Sequence, residues 1–209
     1  AISSSGVLTF ASAPDFETKS SYTATVTATD GANPVTQNIT VTVTNVNEAP
    51  SFSSSATFSA AENQTSIGGV SVNDPEGASL TYSLSGTDAS LLAISSSGVL
   101  SFASAPDFET KNGYSATVTA SDGTNSTTQG VTISVTNVNE APSFSSSATF
   151  SAAENQTSIG SVSVNDPEGA SLTYSLSGTD ASLLAISSSG VLTFASAPDF
   201  ETKSSYTAT

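Results

Sequence analysis

The sequence predicts an all-β protein made of repeated antiparallel β-sandwiches, and three observations support this prediction. First, the chain repeats itself without a gap, because a shift of 92 residues places Pro50 on Pro142 and Asp30 on Asp122. Second, two long runs alternate apolar residues with hydroxyl-bearing residues, which is typical of strands that bury one face. Third, no segment has the apolar spacing of an amphipathic helix of useful length.

The repeat sets the domain organisation. A period of 92 residues is long for a solenoid unit and suits a small sandwich domain. The first 25 residues are identical to Ala185–Thr209, so the chain holds two periods and an overlap. With the Ala-Pro pair of the recurring segment "NVNEAP" as the boundary, we expect the C-terminal half of one domain at residues 1–49, a complete domain at 50–141 and the N-terminal part of a third at 142–209. The sequence has no initiating Met and no signal peptide, so it looks like an internal piece of a longer chain.

Seven strands are expected in order along the complete domain. Five short runs are Ala56–Ala60, Gly69–Val72, Leu80–Ser85, Leu91–Ile94 and Gly98–Phe102. Two alternating runs follow, from Tyr114 to Ser121 and from Val131 to Thr136, and Gly, Pro, Asn and Asp separate the runs. Seven short strands in about 92 residues predict an Ig-like Greek-key sandwich. Its expected core is Phe58, Val70, Val72, Leu80, Tyr82, Leu84, Leu92, Ile94, Leu100, Phe102, Tyr114, Val118, Ile133 and Val135.

Composition excludes several classes of partner and of chemistry. The chain has 18 acidic residues against Lys19, Lys111 and Lys203, which gives a net charge of −15. Such a surface repels nucleic acid and anionic lipid, and no apolar run approaches the roughly 18 residues that span a bilayer, so we expect neither nucleic-acid binding nor direct membrane insertion of this segment. The absence of Cys and His removes disulfides, thiolate and imidazole metal ligands, and the usual general base.

The acidic residues of the complete unit lie outside the middles of its strands. The eight are Glu62, Asp74, Glu76, Asp88, Asp107, Glu109, Asp122 and Glu140. The second and sixth strands of such a sandwich run parallel, so their exits at Asp74 and Asp122 share one end of the domain. The linker leaves from the opposite end, which Glu62 and the turn with Asp107 and Glu109 can also reach. Copies stacked end to end would gather these carboxylates around a cation, and hard oxygen donors without nitrogen or sulfur favour Ca²⁺.

Five motifs together give a family resemblance. The set "AEN", "DPEG", "PDFE", "TDG" and "NVNEAP" occurs in the order found in tandem cadherin-like repeats, and the chain resembles such repeats in very large bacterial surface adhesins. The resemblance covers every period of the chain. It implies Ca²⁺ ions between successive domains, where they stiffen a rod.

The resemblance also implies a set of ligands for each junction. The first junction would use Asp15, Glu17, Asn45, Asn47, Glu48, Asp74, Glu76 and Asp122. The second would use Glu62, Asp107, Glu109, Asn137, Asn139, Glu140, Asp166 and Glu168. Asp30 would serve a junction upstream, and Glu154, Asp199 and Glu201 would serve one downstream. Asn47 and Asn139 would contribute a carbonyl oxygen.

The linker departs from the animal pattern D-x-N-D-N-x-P. Asn45 stands where the first Asp belongs, and one Glu replaces the Asp-Asn pair. A neutral amide thus replaces a charged ligand and the linker is one residue shorter. We therefore expect two ions per junction, or weaker binding, rather than the full set of three.

Other interpretations of the same residues stay open. The acids could form a solvated surface that keeps the chain soluble, and the pairs Asp74/Glu76 and Asp107/Glu109 imitate the carboxylate pairs of glycoside hydrolases. Trp is absent and most Phe and Tyr are assigned to the core, so we predict that the chain is not an enzyme. Outward Thr rows fit ice or glycan binding as well as ordinary β-propensity. Asp88 is expected to be a turn residue that bonds local backbone amides.

These observations predict a calcium-binding structural extender of a secreted or cell-surface adhesin, with neighbouring repeats of the same chain as partners. One alternative is a repeat that itself binds glycan, ice or an identical repeat on another chain, in an array or filament. A second alternative is a spacer in a secreted hydrolase.

Overall fold

A computed structural model describes all 209 residues, and these form two compact units, Ala1–Thr136 and Asn137–Thr209. The secondary structure is β, apart from two 3₁₀ turns at Ala89–Leu91 and Ala181–Leu183. No helix combines the length and the apolar character needed to cross a membrane. The all-β prediction is confirmed.

The first 49 residues contribute a single long hairpin. Strands β1 (Ser21–Thr29) and β2 (Pro34–Thr42) pair antiparallel along their whole length. Asp30 closes the turn, because its Oδ1 accepts hydrogen bonds from the backbone N–H groups of Ala32 and Asn33 at 2.9 and 2.8 Å. Before the hairpin, only an isolated bridge joins Ile2 to Leu8.

Residues 51–136 form the complete sandwich. Its strands are β3 (Ser51–Phe52), β4 (Thr57–Ala61), β5 (Ser66–Gly69), β6 (Val72–Asn73), β7 (Thr81–Ser85), β8 (Leu92–Ile94), β9 (Val99–Phe102), β10 (Gly113–Ser121) and β11 (Ser126–Thr136). They make a four-stranded sheet in the order β4-β11-β10-β7, a three-stranded sheet β5-β9-β8 and a two-stranded sheet β3-β6. Strand β4 runs parallel to β11, and the remaining pairs are antiparallel.

The core depends on the hairpin β10–β11. Val118, Val131 and Ile133 of this hairpin are almost fully buried, and they pack in one cluster with Leu100 and Phe102 of β9. Most of the expected core residues belong to this cluster or pack against it. The cluster also includes Ala60, Ala116 and Val131, which were not among the expected core residues. Ala is a weak apolar signal, and Val131 stood at the first position of its expected strand.

Two expected strands are wrong in their bounds. The last strand begins at Ser126 and not at the expected Val131. The run Gly69–Val72 was expected as one strand, whereas the chain pairs first through Ser66–Gly69 and then through Val72–Asn73. The register shifts between Ser66 and Gly68, where Gly68 has a φ of 151°. A side chain at Gly68 would stand 3.2 Å from the Phe58 ring, so this position favours Gly and the strand is irregular there.

The expectation for Asp88 is also wrong, since its side chain bonds across the domain. Its Oδ2 accepts the backbone N–H of Ser115 at 2.8 Å, and its Oδ1 lies 3.1 Å from Nζ of Lys111. The Ser115 hydrogen bond, and next the Lys111 partner, lower the pKa of Asp88. Lys111 also lies 5.0 Å from the centroid of the Tyr114 ring. Asp88 therefore fixes the 3₁₀ turn to the start of β10.

The second unit repeats the first part of the sandwich. Its strands are β12 (Ser143–Phe144), β13 (Ser158–Ser161), β14 (Val164–Asn165), β15 (Leu184–Ile186) and β16 (Val191–Phe194). They form the sheets β12-β14 and β13-β16-β15. The counterparts of β4 and β7, residues 149–153 and 173–177, form no strand. The four-stranded sheet is thus absent from this unit, which contains the counterpart of only the first five residues of β10.

We predict that Leu100→Ala destabilises the complete sandwich by about 2–5 kcal/mol, because Leu100 is fully buried and a truncated side chain leaves a cavity. Urea unfolding, followed by circular dichroism and by amide hydrogen exchange of β9–β11, measures the effect. The control is Val99→Ala in the same strand, where the side chain is 50% exposed. Equal losses in the two variants would contradict the placement of the core.

Candidate metal centre

The first linker is held against the turns of the complete sandwich by polar contacts. The backbone N–H of Glu48 donates to Oε1 of Glu76 at 3.3 Å. The Asn47 side-chain amide donates to Oδ2 of Asp122 at 2.8 Å, and the Asn125 side-chain amide donates to the Asn47 carbonyl at 2.8 Å. Because the Nδ2 atom of Asn47 is engaged in this way, its Oδ1 remains as the oxygen that can face a cation.

Three carboxylates meet at this linker. Glu17 comes from the turn after the Ile2–Leu8 bridge, Glu48 from the linker, and Glu76 from the turn after β6. One oxygen from each lies within 4.8 Å of the others. Since the three residues come from three separate segments, folding rather than local sequence brings them together.

Two carboxylate oxygens at this end of the sandwich are buried without a hydrogen-bond partner. They are Oδ2 of Asp74 and Oε2 of Glu76. The other oxygen of Asp74, Oδ1, accepts the backbone N–H of Ala78 at 2.9 Å, so this side chain is oriented by its own turn. A buried polar atom without a partner costs free energy, and a bound cation offsets that cost. The donor set, all oxygen and mostly charged, fits a hard divalent cation.

The close approach of the carboxylates changes their proton affinity. The hydrogen bond with Glu76 raises the pKa of Glu48 to about 7, and desolvation and the charges of Glu76, Glu17 and Asp15 add to it. Glu48 therefore takes up a proton at a much higher pH than an ordinary glutamate does.

The Asp residues around the linker behave differently, because backbone N–H groups stabilise their charged forms. The Thr18 backbone N–H lowers the pKa of Asp15 first of all, and the Thr124 backbone N–H does the same for Asp122. The pKa of Asp30 is lowered mainly by the backbone N–H of Asn33. These carboxylates are thus held ionised and oriented by their own turns.

A second group of acidic residues lies at the end of the sandwich where β11 ends. Glu62 is buried, its backbone N–H donates to the Thr136 carbonyl at 3.1 Å, and its Oε2 accepts the backbone N–H of Phe108 at 2.8 Å. Asp107 accepts two hydrogen bonds from Thr110 within the same turn, and Glu109 lies one residue beyond Phe108. This placement puts Glu62 and the Asp107/Glu109 turn at the linker end of the domain.

The second unit reproduces both arrangements with its own residues. The carboxylates of Glu154, Asp199 and Glu201 lie within 4.8 Å of one another, and the backbone N–H of Phe200 donates to Oε2 of Glu154 at 3.1 Å. At its other end, the backbone N–H of Glu140 donates to Oε1 of Glu168 at 3.1 Å. The side-chain hydrogen bond with Glu140, and next the Glu140 backbone N–H, lower the pKa of Glu168.

Further residues of the second unit make the same contacts as their counterparts in the first unit. Oδ1 of Asp166 accepts the backbone N–H of Ala170 at 2.9 Å, and Oε2 of Glu168 is buried without a hydrogen-bond partner. The Asn139 side-chain amide donates to the Glu140 carbonyl at 3.1 Å. Asn45 and Asn137 are exposed in their linkers.

Sequence reasoning missed Asn125. Its side chain binds the linker backbone, and it stands three residues after Asp122 in the turn between β10 and β11. The spacing Asp-Gly-x-Asn also occurs at Asp30–Asn33, so the repeat contained the signal. The same residue begins a glycosylation triplet, Asn125-Ser126-Thr127, and that pattern gives no hint of a linker contact.

Comparison with known proteins gives the fold. No family model matches the chain, and no curated protein matches it. Among solved structures, protocadherin gamma B2 extracellular cadherin domains 1–5 aligns with a TM-score of 0.60 at 26% identity, over 90% of this chain and 41% of that one. The fold is cadherin-like. Mouse cadherin-23 EC22-24 aligns with a TM-score of 0.55 at 25% identity, over 90% of this chain and 68% of that one.

A third structure, mouse protocadherin-24 EC1-3, has a TM-score of 0.58 at 23% identity and covers 92% of this chain and 71% of that one. At this identity it supports the fold alone. The expectation of Ig-like, cadherin-like sandwiches is therefore confirmed, and the 209 residues span about two cadherin-like repeats.

We predict that Glu48 titrates with a midpoint of about 7 in the cation-free protein. Its folded pKa lies above its ordinary value of 4.5, so the stability contributed by the bound proton is fully present below about pH 4.5 and is lost as the pH rises through 7. Carboxyl ¹³C NMR in the presence of a chelator measures the midpoint.

Two variants separate the causes of this shift. Glu76→Gln should move the Glu48 midpoint strongly towards 4.5, whereas Glu17→Gln should move it less, because Glu17 acts through its charge alone. A Glu48 midpoint near 4.5 in the unsubstituted protein would contradict the effect of Glu76 on the pKa of Glu48.

Proposed function

We propose that this chain is a calcium-binding structural extender of a secreted or cell-surface adhesin, whose linkers are stiffened by Ca²⁺. The observation that carries the proposal is the pair of buried carboxylate oxygens, on Asp74 and Glu76, that have no hydrogen-bond partner beside the Glu17–Glu48–Glu76 cluster. Neighbouring repeats of the same chain are the partners, and the cell surface is the location.

Ligand chemistry favours calcium over other metals. The cluster offers carboxylate and amide oxygens only, and the chain has no Cys or His. Transition metals prefer nitrogen and sulfur, whereas Ca²⁺ takes six to eight oxygen ligands in a flexible geometry. Glu17, Glu48, Asp74, Glu76 and Oδ1 of Asn47 would hold the ion. Asp15 and Asp122 would add charge, whereas Asn45 would add only a neutral amide oxygen.

The stiffening follows from the segments that supply these residues. Glu17 belongs to residues before the linker, Glu48 to the linker itself and Glu76 to the sandwich after it. The positive charge of a bound ion would attract the carboxylates of all three segments at once. Without it, Glu48 must either keep a proton or repel Glu76, and the linker depends on hydrogen bonds such as those of Asn47 and Asn125.

The sequence repeat extends the proposal to the other acidic residues. A shift of 92 residues carries Glu17, Glu48 and Glu76 to Glu109, Glu140 and Glu168. We therefore assign the set Glu62, Asp107, Glu109, Asn137, Asn139, Glu140, Asp166 and Glu168 to the second linker. Asp30 would serve a junction before this segment, and Glu154, Asp199 and Glu201 one after it.

The test is a calcium titration of the 209-residue chain. We expect calorimetry to show Ca²⁺ binding that is at least tenfold weaker at the first linker in Glu48→Gln and in Glu76→Gln. The unsubstituted chain should bind more tightly at pH 8 than at pH 5.5, because Ca²⁺ competes with the proton that Glu48 binds below about pH 7. Small-angle scattering with and without chelator then reports the change in stiffness.

The matched control is Val46→Gln, which alters a residue that is 68% exposed in the same linker and removes no carboxylate. It should bind Ca²⁺ like the unsubstituted chain. If the unsubstituted chain binds no Ca²⁺ at millimolar concentration, or binds it without any change in scattering, the proposed function is wrong.

A further inference from the structure

The dipeptide Asn112–Gly113 occurs only once in the chain. The equivalent positions of the other copies, 92 residues away on either side, hold Ser20–Ser21 and Ser204–Ser205. The dipeptide lies between the turn that contains Asp107 and the first residues of β10, and both of its residues are exposed. Asparagine is a chemically labile residue, and a following glycine leaves the next backbone nitrogen accessible because it has no Cβ. This pair therefore places a reactive side chain beside an unhindered nitrogen.

The hydrogen bonds of the sheet do not use the Gly113 nitrogen. The Val135 N–H donates to the Asn112 carbonyl at 2.9 Å, and Gly113 stands opposite Ser134 in the same antiparallel register. Hydrogen-bonded and non-hydrogen-bonded pairs alternate in an antiparallel ladder, so the Gly113 N–H points away from β11. Strand β7 pairs with β10 only from Thr117 onwards, and no other group accepts this N–H.

The surroundings of the dipeptide leave room for movement. A Cβ placed on Gly113 would meet no atom within 4 Å. The side chain of Asn112 makes no hydrogen bond within the protein. It can therefore rotate until its Cγ approaches the Gly113 nitrogen.

The two Asp-Gly pairs of the chain, which are capable of a similar cyclisation, are held by hydrogen bonds. Oδ1 of Asp122 accepts the N–H groups of Thr124 and Asn125, both at 2.6 Å. The N–H of the following Gly donates to Oγ of Ser121 at 3.1 Å. The pair Asp30–Gly31 makes the corresponding contacts. In both pairs the electrophile and the nucleophile are thus fixed, whereas at Asn112–Gly113 neither is.

We propose that Asn112–Gly113 is a site of spontaneous deamidation, in which water is the co-reactant and ammonia is released. The Gly113 nitrogen loses its proton to solvent and attacks Cγ of Asn112. The bond between Cγ and Nδ2 breaks, and Nδ2 takes a proton from water and leaves as ammonia. Water then opens the cyclic imide at either of its carbonyls, which gives aspartate or isoaspartate at position 112.

Isoaspartate would change the backbone within a span that Asp88 holds at both ends. Oδ1 of Asp88 lies 3.1 Å from Nζ of Lys111, and its Oδ2 accepts the Ser115 N–H at 2.8 Å. These partners flank Asn112–Gly113 in the sequence. Isoaspartate inserts a methylene into the main chain of this span. It also turns the carbonyl that accepts the Val135 N–H into part of a free carboxylate, so the start of β10 would lose its pairing with β11.

The second unit contains the same clamp without the labile pair. Oδ1 of Asp180 binds Nζ of Lys203 at 2.6 Å, and its Oδ2 accepts the Thr207 N–H at 2.8 Å. The span between these partners contains Ser204–Ser205, which has no side-chain amide to lose. This copy is therefore an internal control for the chemistry.

Incubation of the 209-residue chain in warm, mildly alkaline buffer tests the proposal, because loss of the Gly113 proton starts the reaction. A chelator is present throughout, so the outcome does not depend on calcium. Peptide mapping by mass spectrometry in water enriched in ¹⁸O should show that Asn112 loses its amide at least tenfold faster than any other Asn. The product should carry ¹⁸O from the solvent.

Gly113→Ser is the matched variant, because Ser occupies this position in both other copies and a Cβ has room there. It should slow the loss of the Asn112 amide at least tenfold. If Asn112 keeps its amide as long as the other Asn residues do, or reacts equally fast in Gly113→Ser, the site is wrong.

Amide hydrogen exchange measures the effect on the hairpin. The Val135 N–H should exchange at least tenfold faster in an incubated chain that contains isoaspartate than in the fresh chain. Incubated Asn112→Ser should exchange like its own fresh sample. Unchanged exchange at Val135 in the isoaspartate-containing chain would overturn the effect on β10.

Discussion

The pairing of β10 with β11 is the constraint on which the rest of the sandwich depends. This hairpin supplies the most deeply buried positions, Val118, Val131 and Ile133, and it is the surface on which both β4 and β7 are aligned. Where its counterpart is lacking, in the second unit, residues 149–153 and 173–177 lose their strand character although their sequence is nearly unchanged. Strand formation in this protein is therefore decided by a non-local partner rather than by local propensity.

The acidic residues follow from the same sandwich geometry. A strand interior has no room for a charge, so the carboxylates are confined to turns, and turns at one end of a sandwich lie near the linker. The Asp residues there accept hydrogen bonds from backbone N–H groups of their own turns and remain ionised. The Glu residues reach further from the backbone, and the side chain of Glu76 lies close enough to Glu48 to raise the pKa of Glu48. The Asp residues thus stabilise their own turns, and the Glu residues meet between separate segments of the chain.

Much of the fold was accessible from the sequence because the repeat and the period-two alternation are strong signals. The all-β class and the long strands required only these patterns. The grouping of Asn47 with Asp122 at one junction came from the family resemblance, and a hydrogen bond joins the two side chains. The strand at Gly69–Val72 was placed wrongly, since the bulge at Gly68 depends on the position of the Phe58 ring. Asp88 was assigned to a local turn because its partners, Ser115 and Lys111, lie more than twenty residues away in sequence. Contacts of that range have no signature in a single sequence.

The Asp180–Lys203 pair has a consequence for how such a chain is made. In the second unit, Oδ1 of Asp180 already binds Lys203 at 2.6 Å and Oδ2 already accepts the Thr207 N–H at 2.8 Å, with the 3₁₀ turn and the small sheet β13-β16-β15 in place. Synthesis delivers each repeat from its N-terminal side, and domains generally fold in that order. The hydrogen bonds of Asp180 reach at most 27 residues along the chain, so a nascent repeat can form this turn early.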